Sequence, residues 1–190
     1  MSTLVLAGLD PSLSNFGFAF ATYEPGGAGP EFEHLELVRP PTVKRPRTVR
    51  QNSNDLYRAT LLAEASFALL EKHSVDVLFV EVPHGSQSAR AMASYGICVG
   101  LLGAMQARGF PLIQLTALEV KLALTNDPQA SKEKMVTEAV RRYPSLPWPM
   151  HRGAVSLSRA EHLADGAAAV LAGLASPDFL RLERLYRKSA

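Results

Sequence analysis

Two acidic residues stand where apolar strands end in this sequence. Asp10 follows the apolar run 4–9, and Glu81 ends the β-branched run 75–81. An unpaired carboxylate at the end of an interior strand is costly, so two such endings are uncommon. Asp10 also precedes Pro11, and an Asp-Pro pair often only closes a turn, while Glu81 fits a surface residue or a partner for a helix cap. The two positions therefore indicate either ordinary turn chemistry or the ligands of a metal site.

A histidine and an aspartate on a later helix extend this set. The helix predicted over 158–174 carries His162 and Asp165 three residues apart, on one face, beside an apolar stripe that would pack on a sheet. That placement aims both side chains at the strand ends. Three carboxylates and one imidazole suit Mg²⁺ or Mn²⁺ better than zinc, and two such ions about 4 Å apart support phosphodiester hydrolysis. Glu161 is interpreted as the third position of a capping box that opens with Ser158.

Composition predicts one globular domain over 1–190. Of 190 residues, 47% are hydrophobic and 20% charged, and the net charge of +2 permits a polyanionic partner without requiring one. Cys98 is the only cysteine, which excludes an internal disulfide and a cysteine-based zinc site. The first apolar run is too short for a signal sequence or a membrane span, so we expect a cytoplasmic protein with no membrane contact.

The order of elements predicts an α/β fold. Strands are expected at 4–9, 16–22, 34–38, 75–81 and 112–115. Helices are expected from a cap at Asn52, Ser53 or Asn54 to about 72, over 88–108, from the Thr116–Glu119 capping box, over 131–143 after Ser131, over 158–174, and over the basic segment 176–190. The segments 39–54, which is basic, and 143–153, which is proline-rich, are predicted to be exposed loops. Antiparallel strands followed by alternating helices and strands indicate a mixed central sheet flanked by helices.

Four segments resemble the RuvC family of Holliday-junction resolvases in order and spacing. They are "GLDPSLSNFGFA", "VEVPHGSQSARAMASYGICVGLL", "EVKLALTNDPQASKEKMV" and "HLADGAAAVL". The resemblance implies a ribonuclease H-like fold and a metal-dependent endonuclease that cuts four-way DNA junctions. It also implies that two Mg²⁺ ions, for which Mn²⁺ can substitute, are held by Asp10, Glu81, His162 and Asp165. Lys121 and Lys132 match family lysines that act near the scissile phosphate, although either also fits an ordinary solvated helix lysine.

The same family pairs two subunits through the helix predicted over 88–108. In this sequence that helix carries a seam of small residues, namely Ala93, Gly96, Gly100 and Ala104. Glycine inside a helix costs about 1 kcal/mol relative to alanine, so the seam indicates a close approach of another element. That element is either the protein's own sheet or a second subunit, and the resemblance favours a homodimer with two active sites. No helicase partner is identified by the sequence.

Two departures from the family pattern bear on DNA recognition. Ser12 stands where the family usually has glycine, and His84 stands where an aromatic residue often follows the catalytic glutamate. The basic loop adds four cations that we predict to hold DNA phosphates, namely Lys44, Arg45, Arg47 and Arg50. Phosphate contacts add affinity without reading bases. With a smaller, more polar ring at His84, the enzyme is predicted to be less sequence-selective than its relatives.

Three other functions fit parts of the pattern. A ribonuclease H-fold nuclease acting on flaps, forks or RNA would use the same acidic set. A junction-binding protein without catalysis would gain nothing from clustered carboxylates, because they repel phosphate. An actin-like kinase or ATPase also ends its first strand on Asp, but requires two such domains and a glycine-rich phosphate loop, which this chain lacks.

Overall fold

A five-stranded mixed sheet forms the centre of the protein. The computed structural model describes residues 3–41, 50–82, 85 and 88–189. The strands are β1 (Leu4–Asp10), β2 (Phe16–Tyr23), β3 (Glu31–Val38), β4 (Val77–Glu81) and β5 (Leu112–Leu115). They lie in the order β3-β2-β1-β4-β5, with β1, β2 and β3 antiparallel and β4 and β5 parallel to β1. The predicted α/β fold with antiparallel strands first and parallel strands later is confirmed.

Helices cover both faces of this sheet. They are α1 (Gln51–Lys72), α2 (Ala89–Ala107), α3 (Ala117–Thr125), α4 (Lys132–Arg142), α5 (Leu157–Leu174) and α6 (Pro177–Ser189). Alternate residues of each strand point to opposite faces, so Leu6 and Phe79 join the core beneath α3 to α6. Leu9 and Val80 join the second core beneath α1 and α2. The sheet is therefore buried between two helical layers.

Cys98 belongs to the second core. The side chain lies on the sheet-facing side of α2 and is 1% exposed. Burial, with a smaller contribution from the negative charge of Asp10, raises the pKa of the Cys98 thiol to about 11. The thiol is therefore a small apolar packing group at neutral pH.

Helix α5 touches β1 and β2 through glycine. A Cβ on Gly8 would lie 1.9 Å from the carbonyl oxygen of Gly166, and one on Gly17 would lie 2.3 Å from the carbonyl oxygen of His162. Both clashes involve backbone, which cannot rotate away. The backbone of α5 therefore rests directly on the strands, and this contact brings His162 and Asp165 to the end of β1.

The predicted starts of α3 and α4 are confirmed. The Thr116–Glu119 capping box is present at the start of α3, and the Ser131 hydroxyl accepts from the backbone N–H of Lys134 at the start of α4. The predicted Ser158 capping box is wrong, because α5 begins at Leu157 with Ser156 as the N-cap. The backbone N–H of Ser156 donates to the carbonyl of Pro149, which places the chain for an earlier start.

The start of α1 also differs from the prediction. The helix begins at Gln51 after Arg50, so the expected caps Asn52, Ser53 and Asn54 lie inside it. Tertiary contacts explain this early start. The carboxylate of Asp55 is buried and accepts a hydrogen bond from the side chain of Gln51. It also forms a bidentate ion pair with Arg90 of α2. Hydrogen bonding from Arg90 lowers the pKa of Asp55 below its usual range.

The two predicted loops have different outcomes. The segment 143–153 includes β6 (Met150–His151) and the turn of a short hairpin, which the prolines did not indicate, and the second strand of that hairpin is β7 (Ala154–Val155), just beyond the segment. Its two-residue turn places Arg152 at φ 50° and Gly153 at φ 81°, as tight hairpin turns require. Of the predicted loop 39–54, residues 51–54 are helical, while 42–49 lie outside the described residues. In the described part of the chain, no single helix is long and apolar enough to cross a membrane. Helices α5 and α6 reach that length and apolar composition only when taken together, and the chain bends by 66° between them.

We expect Gly8→Ala to destabilise the protein by about 3 kcal/mol, because the added methyl group must push α5 away from β1. Gly103→Ala is the matched control, since its Cβ meets nothing within 4 Å and alanine favours the helix. Denaturant unfolding monitored by circular dichroism measures both. Equal stability of Gly8→Ala and the wild type would contradict the close contact.

Candidate active site

The two strand-end acids lie on neighbouring strands. Leu9 of β1 pairs with Val80 of β4 in parallel register, so Asp10 and Glu81 follow side by side at the same edge of the sheet. Helix α5 brings His162 and Asp165 to this edge. These four side chains line one cavity of about 350 Å³, together with Pro11, Ser12, Tyr95 and Lys132. The structure thus gathers all four predicted ligands in one place.

His162 is held between two carboxylates. Its Nδ1 lies 2.5 Å from Oδ2 of Asp10, and its Nε2 lies 3.6 Å from Oε1 of Glu161. The imidazole of His162 and the carboxylate of Asp10 are mostly buried, with 14% and 22% of the side chains exposed. The short contact shows that β1 and α5 are joined by a polar bond at this end as well as by the glycine contact.

Asp165 experiences the strongest electrostatic strain of the site. Desolvation by burial, then repulsion from Asp10, Glu81 and Glu161, raises its pKa well above the usual range for an aspartate, and the positive charge of Lys132 offsets only part of this. A divalent cation would relieve that repulsion.

Glu161 is a member of this site and not a helix cap. Its Oε2 lies 3.0 Å from Nζ of Lys132, which projects from the first turn of α4. The hydrogen bond to Glu161, followed by the charges of Asp165 and Asp10, raises the pKa of Lys132. The capping interpretation of Glu161 is therefore wrong. Its position directly before His162 was the signal that sequence analysis passed over.

Tyr95 is a second residue that sequence analysis missed. It lies on α2 and lines the cavity together with the carboxylates. Nothing in the local sequence marks this residue, because its position depends on how α2 crosses the sheet after β4. A phenol can donate a hydrogen bond to a phosphate oxygen or pack against a sugar or base.

The remaining predicted residues lie elsewhere. Lys121 is half-buried on α3 and does not line the cavity. Arg50 is exposed at the start of α1. Lys44, Arg45, Arg47 and His84 lie outside the described residues. Only Lys132, among the predicted DNA-contacting residues that the structure describes, reaches the cavity.

The ligand types in the cavity suit a hard divalent cation, although the positions of the side chains do not form a metal-binding site. Among the described residues, no group of three histidine, cysteine, aspartate or glutamate side chains is arranged to hold a metal ion. Asp10 and His162 are bonded to each other instead. The chemistry of the set still suits Mg²⁺ or Mn²⁺, because it offers carboxylate oxygens, one imidazole and a buried carboxyl under strong negative repulsion.

Removing the Asp165 charge should stabilise the metal-free protein. The folded-state pKa of Asp165 is raised, so its protonated form contributes stability that is lost as the pH rises through that pKa. Asp165→Asn cannot ionise and should raise the Tm in EDTA by several degrees at neutral pH, with the gain shrinking as the pH falls toward the ordinary aspartate value of 3.8. Thermal unfolding at a series of pH values measures this, with Glu133→Gln, at an exposed position of α4, as the charge control. A variant less stable than the wild type at neutral pH would refute the assigned repulsion.

Comparison with known proteins agrees with the sequence motifs. No family model matches the chain. The crossover junction endodeoxyribonuclease RuvC of Bacteroides fragilis is 23% identical over 132 residues, which are 69% of this chain and 64% of that protein. The matched region is thus slightly under two thirds of the relative's length.

Solved structures show the fold over most of the chain. Thermus thermophilus RuvC in complex with a Holliday-junction substrate has a TM-score of 0.63 at 20% identity, over 89% of this chain and 92% of that one. Another T. thermophilus RuvC structure has a TM-score of 0.61 at 23% identity, with the same coverage. The yeast mitochondrial Holliday junction resolvase Ydc2 has a TM-score of 0.58 at 16% identity, over 96% and 81%. The predicted resemblance to the RuvC resolvases is therefore confirmed, and the chain has their ribonuclease H-like fold.

Proposed function

We propose that this protein is a metal-dependent endonuclease that nicks branched DNA and resolves four-way junctions by two symmetric cuts. The observation that carries the proposal is the meeting of Asp10, Glu81, His162 and Asp165 in one cavity at the edge of the sheet. The names of the similar proteins, a crossover junction endodeoxyribonuclease and a RuvC in complex with its Holliday-junction substrate, support the choice of substrate.

In this proposal each side chain of the cavity has a role. Asp10, Glu81 and Asp165, with His162, hold two Mg²⁺ ions, or Mn²⁺ in their place. When bound, the ions supply Lewis acidity that activates a water and stabilises the leaving oxygen. Lys132 contacts the scissile phosphate from the rim, and Lys121, which does not line the cavity, acts near the same phosphate from α3. Clustered carboxylates repel DNA, so their presence favours catalysis over binding alone.

Removing one ligand should strongly slow cleavage without abolishing binding. Asp10→Asn, Glu81→Gln and Asp165→Asn should each lower the rate on a synthetic four-way junction by about a hundredfold or more. Junction binding should persist or tighten, because a negative charge facing phosphate is removed. Gel assays with Mg²⁺ or EDTA measure cleavage, and fluorescence anisotropy measures affinity. Glu133→Gln controls for loss of charge.

The same assay should separate the junction substrate from its rivals. Matched duplex, flap, fork and RNA substrates are cut side by side with the junction. Metal-independent cleavage, or wild-type rates in the Asp165→Asn variant, would reject the proposed chemistry. Preferred cleavage of flaps, forks or RNA would keep the chemistry and reject the junction as substrate.

We also propose that further DNA contacts come from the basic segment, namely Lys44, Arg45, Arg47 and Arg50, and from His84. Arg50 is exposed at the start of α1, as a phosphate contact requires. Cations that hold phosphates raise affinity for every branched DNA alike. We therefore propose low selectivity for the sequence at the nick site.

The small-residue seam of α2 supports a homodimer. Ala93, Gly96, Gly100 and Ala104 are all exposed, and a Cβ on Gly96 or Gly100 would meet nothing within 4 Å. The alternative that the seam packs on the protein's own sheet is wrong, because α2 contacts the sheet through Cys98, Leu102 and Met105. The nearby exposed side chains of Met92 and Val99 add apolar surface to the seam, and a second copy of this helix would cover it.

Gly100→Leu should convert the dimer to folded monomers, since the bulk blocks close approach of two α2 helices while the subunit itself has room for it. Sedimentation velocity measures the mass, and circular dichroism checks the fold. Ala68→Leu places the same kind of side chain at an exposed position of α1 and should leave the dimer intact. A wild-type protein that sediments as a monomer at micromolar concentration contradicts the dimer.

A further inference from the structure

We propose that Glu161 is a positioning residue that holds the ammonium group of Lys132 at the rim of the acidic cavity before DNA arrives. The inference rests on the proposed cleavage of DNA, and it deepens that function by assigning a task to a carboxylate outside the predicted ligand set.

The geometry divides the two oxygens of Glu161 between two partners. Oε2 lies 3.0 Å from Nζ of Lys132, and Oε1 lies 3.6 Å from Nε2 of His162. Only 20% of the Glu161 side chain is exposed, against 76% of that of Lys132. A partly buried carboxylate on α5 thus holds the tip of a long, exposed side chain from α4.

Two effects would move Lys132 away from this place in the absence of Glu161. It lies in the first turn of α4, where the positive end of the helix dipole repels a cation. A solvated lysine also samples many rotamers, which lowers the fraction of time that its ammonium spends near the cavity. The bond to Glu161 opposes both effects, and the nearby charges of Asp10 and Asp165 attract the ammonium in the same direction.

Glu161 is otherwise unfavourable where it stands. It does not cap α5, because the helix starts at Leu157. Its negative charge adds to the repulsion on Asp165. Its favourable contacts are the ion pair with Lys132 at 3.0 Å and the longer approach to His162 at 3.6 Å, so Lys132 is its closer partner. A lysine that is already ordered can meet an incoming phosphate without first losing its rotamer freedom, as preorganised groups do.

The first arm of the test needs neither metal nor DNA. Lysine side-chain NMR, which follows the Nζ and Cε groups, reports the nanosecond mobility of Lys132 in wild type, Glu161→Gln and Glu133→Gln. Glu133 is the next residue to Lys132, is exposed, and forms no ion pair within the described residues. We expect Lys132 to be restrained in the wild type and in Glu133→Gln, and to become as mobile as other exposed lysines in Glu161→Gln.

The second arm is a double-mutant cycle on junction cleavage in Mg²⁺. Glu161→Gln should lower kcat by about tenfold with KM unchanged or lower, because the lysine is no longer placed while a charge that repels DNA is gone. In a Lys132→Met background, Glu161→Gln should cause no further loss of kcat. Thermal unfolding confirms that every variant is folded.

The outcomes separate this inference from the proposed function. Unchanged Lys132 mobility in Glu161→Gln overturns the positioning role. If the wild type cleaves, two kinetic results also overturn it. One is a kcat of Glu161→Gln equal to that of Glu133→Gln. The other is an equal loss of kcat on Glu161→Gln in the wild-type and the Lys132→Met backgrounds. A wild type that cuts no branched DNA with Mg²⁺ overturns the proposed function instead, and the NMR arm still decides whether Glu161 restrains Lys132.

Discussion

The direct contact between the backbones of α5 and β1 is the constraint on which the site depends. A helix normally keeps its distance from a sheet because side chains stand between them. Here Gly8 and Gly166 remove those side chains, and Gly17 lets β2 approach the start of the same helix. His162 is thereby close enough to bond Asp10 directly. Side chains on α5 can reach the strand ends only because the helix backbone is in direct contact with the strands.

A second requirement follows from the charges that this contact brings together. Asp10, Glu81, Asp165 and Glu161 bring four carboxyl groups into one small region, and the strain shows in the raised pKa of Asp165. The fold tolerates this because two of the carboxylates have partners: His162 bonds Asp10, and Lys132 bonds Glu161. The repulsion between these carboxylates lowers the stability of the fold, as is common where cations or substrates bind.

Sequence analysis could predict the features that follow from local rules. Asp10 and Glu81 were predicted as a set because each ends an apolar strand, and His162 and Asp165 because helical spacing puts them on one face. The Thr116 box was predicted because both of its partners lie within one turn. Glu161 was misassigned because an equally regular pattern with Ser158 competed, and the hairpin that decided between them depends on contacts with Pro149. Tyr95 was missed because no sequence pattern encodes how α2 crosses the sheet.

The buried thiol of Cys98 has a consequence for how this protein can be studied. Thiol-specific dyes and spin labels react with the thiolate, and a cysteine that is 1% exposed with a pKa of about 11 offers them almost none at neutral pH. A cysteine introduced at the surface would therefore be modified selectively while the native one stays in place. Distances between probes could then be followed in solution in a protein whose core has not been altered to accept them.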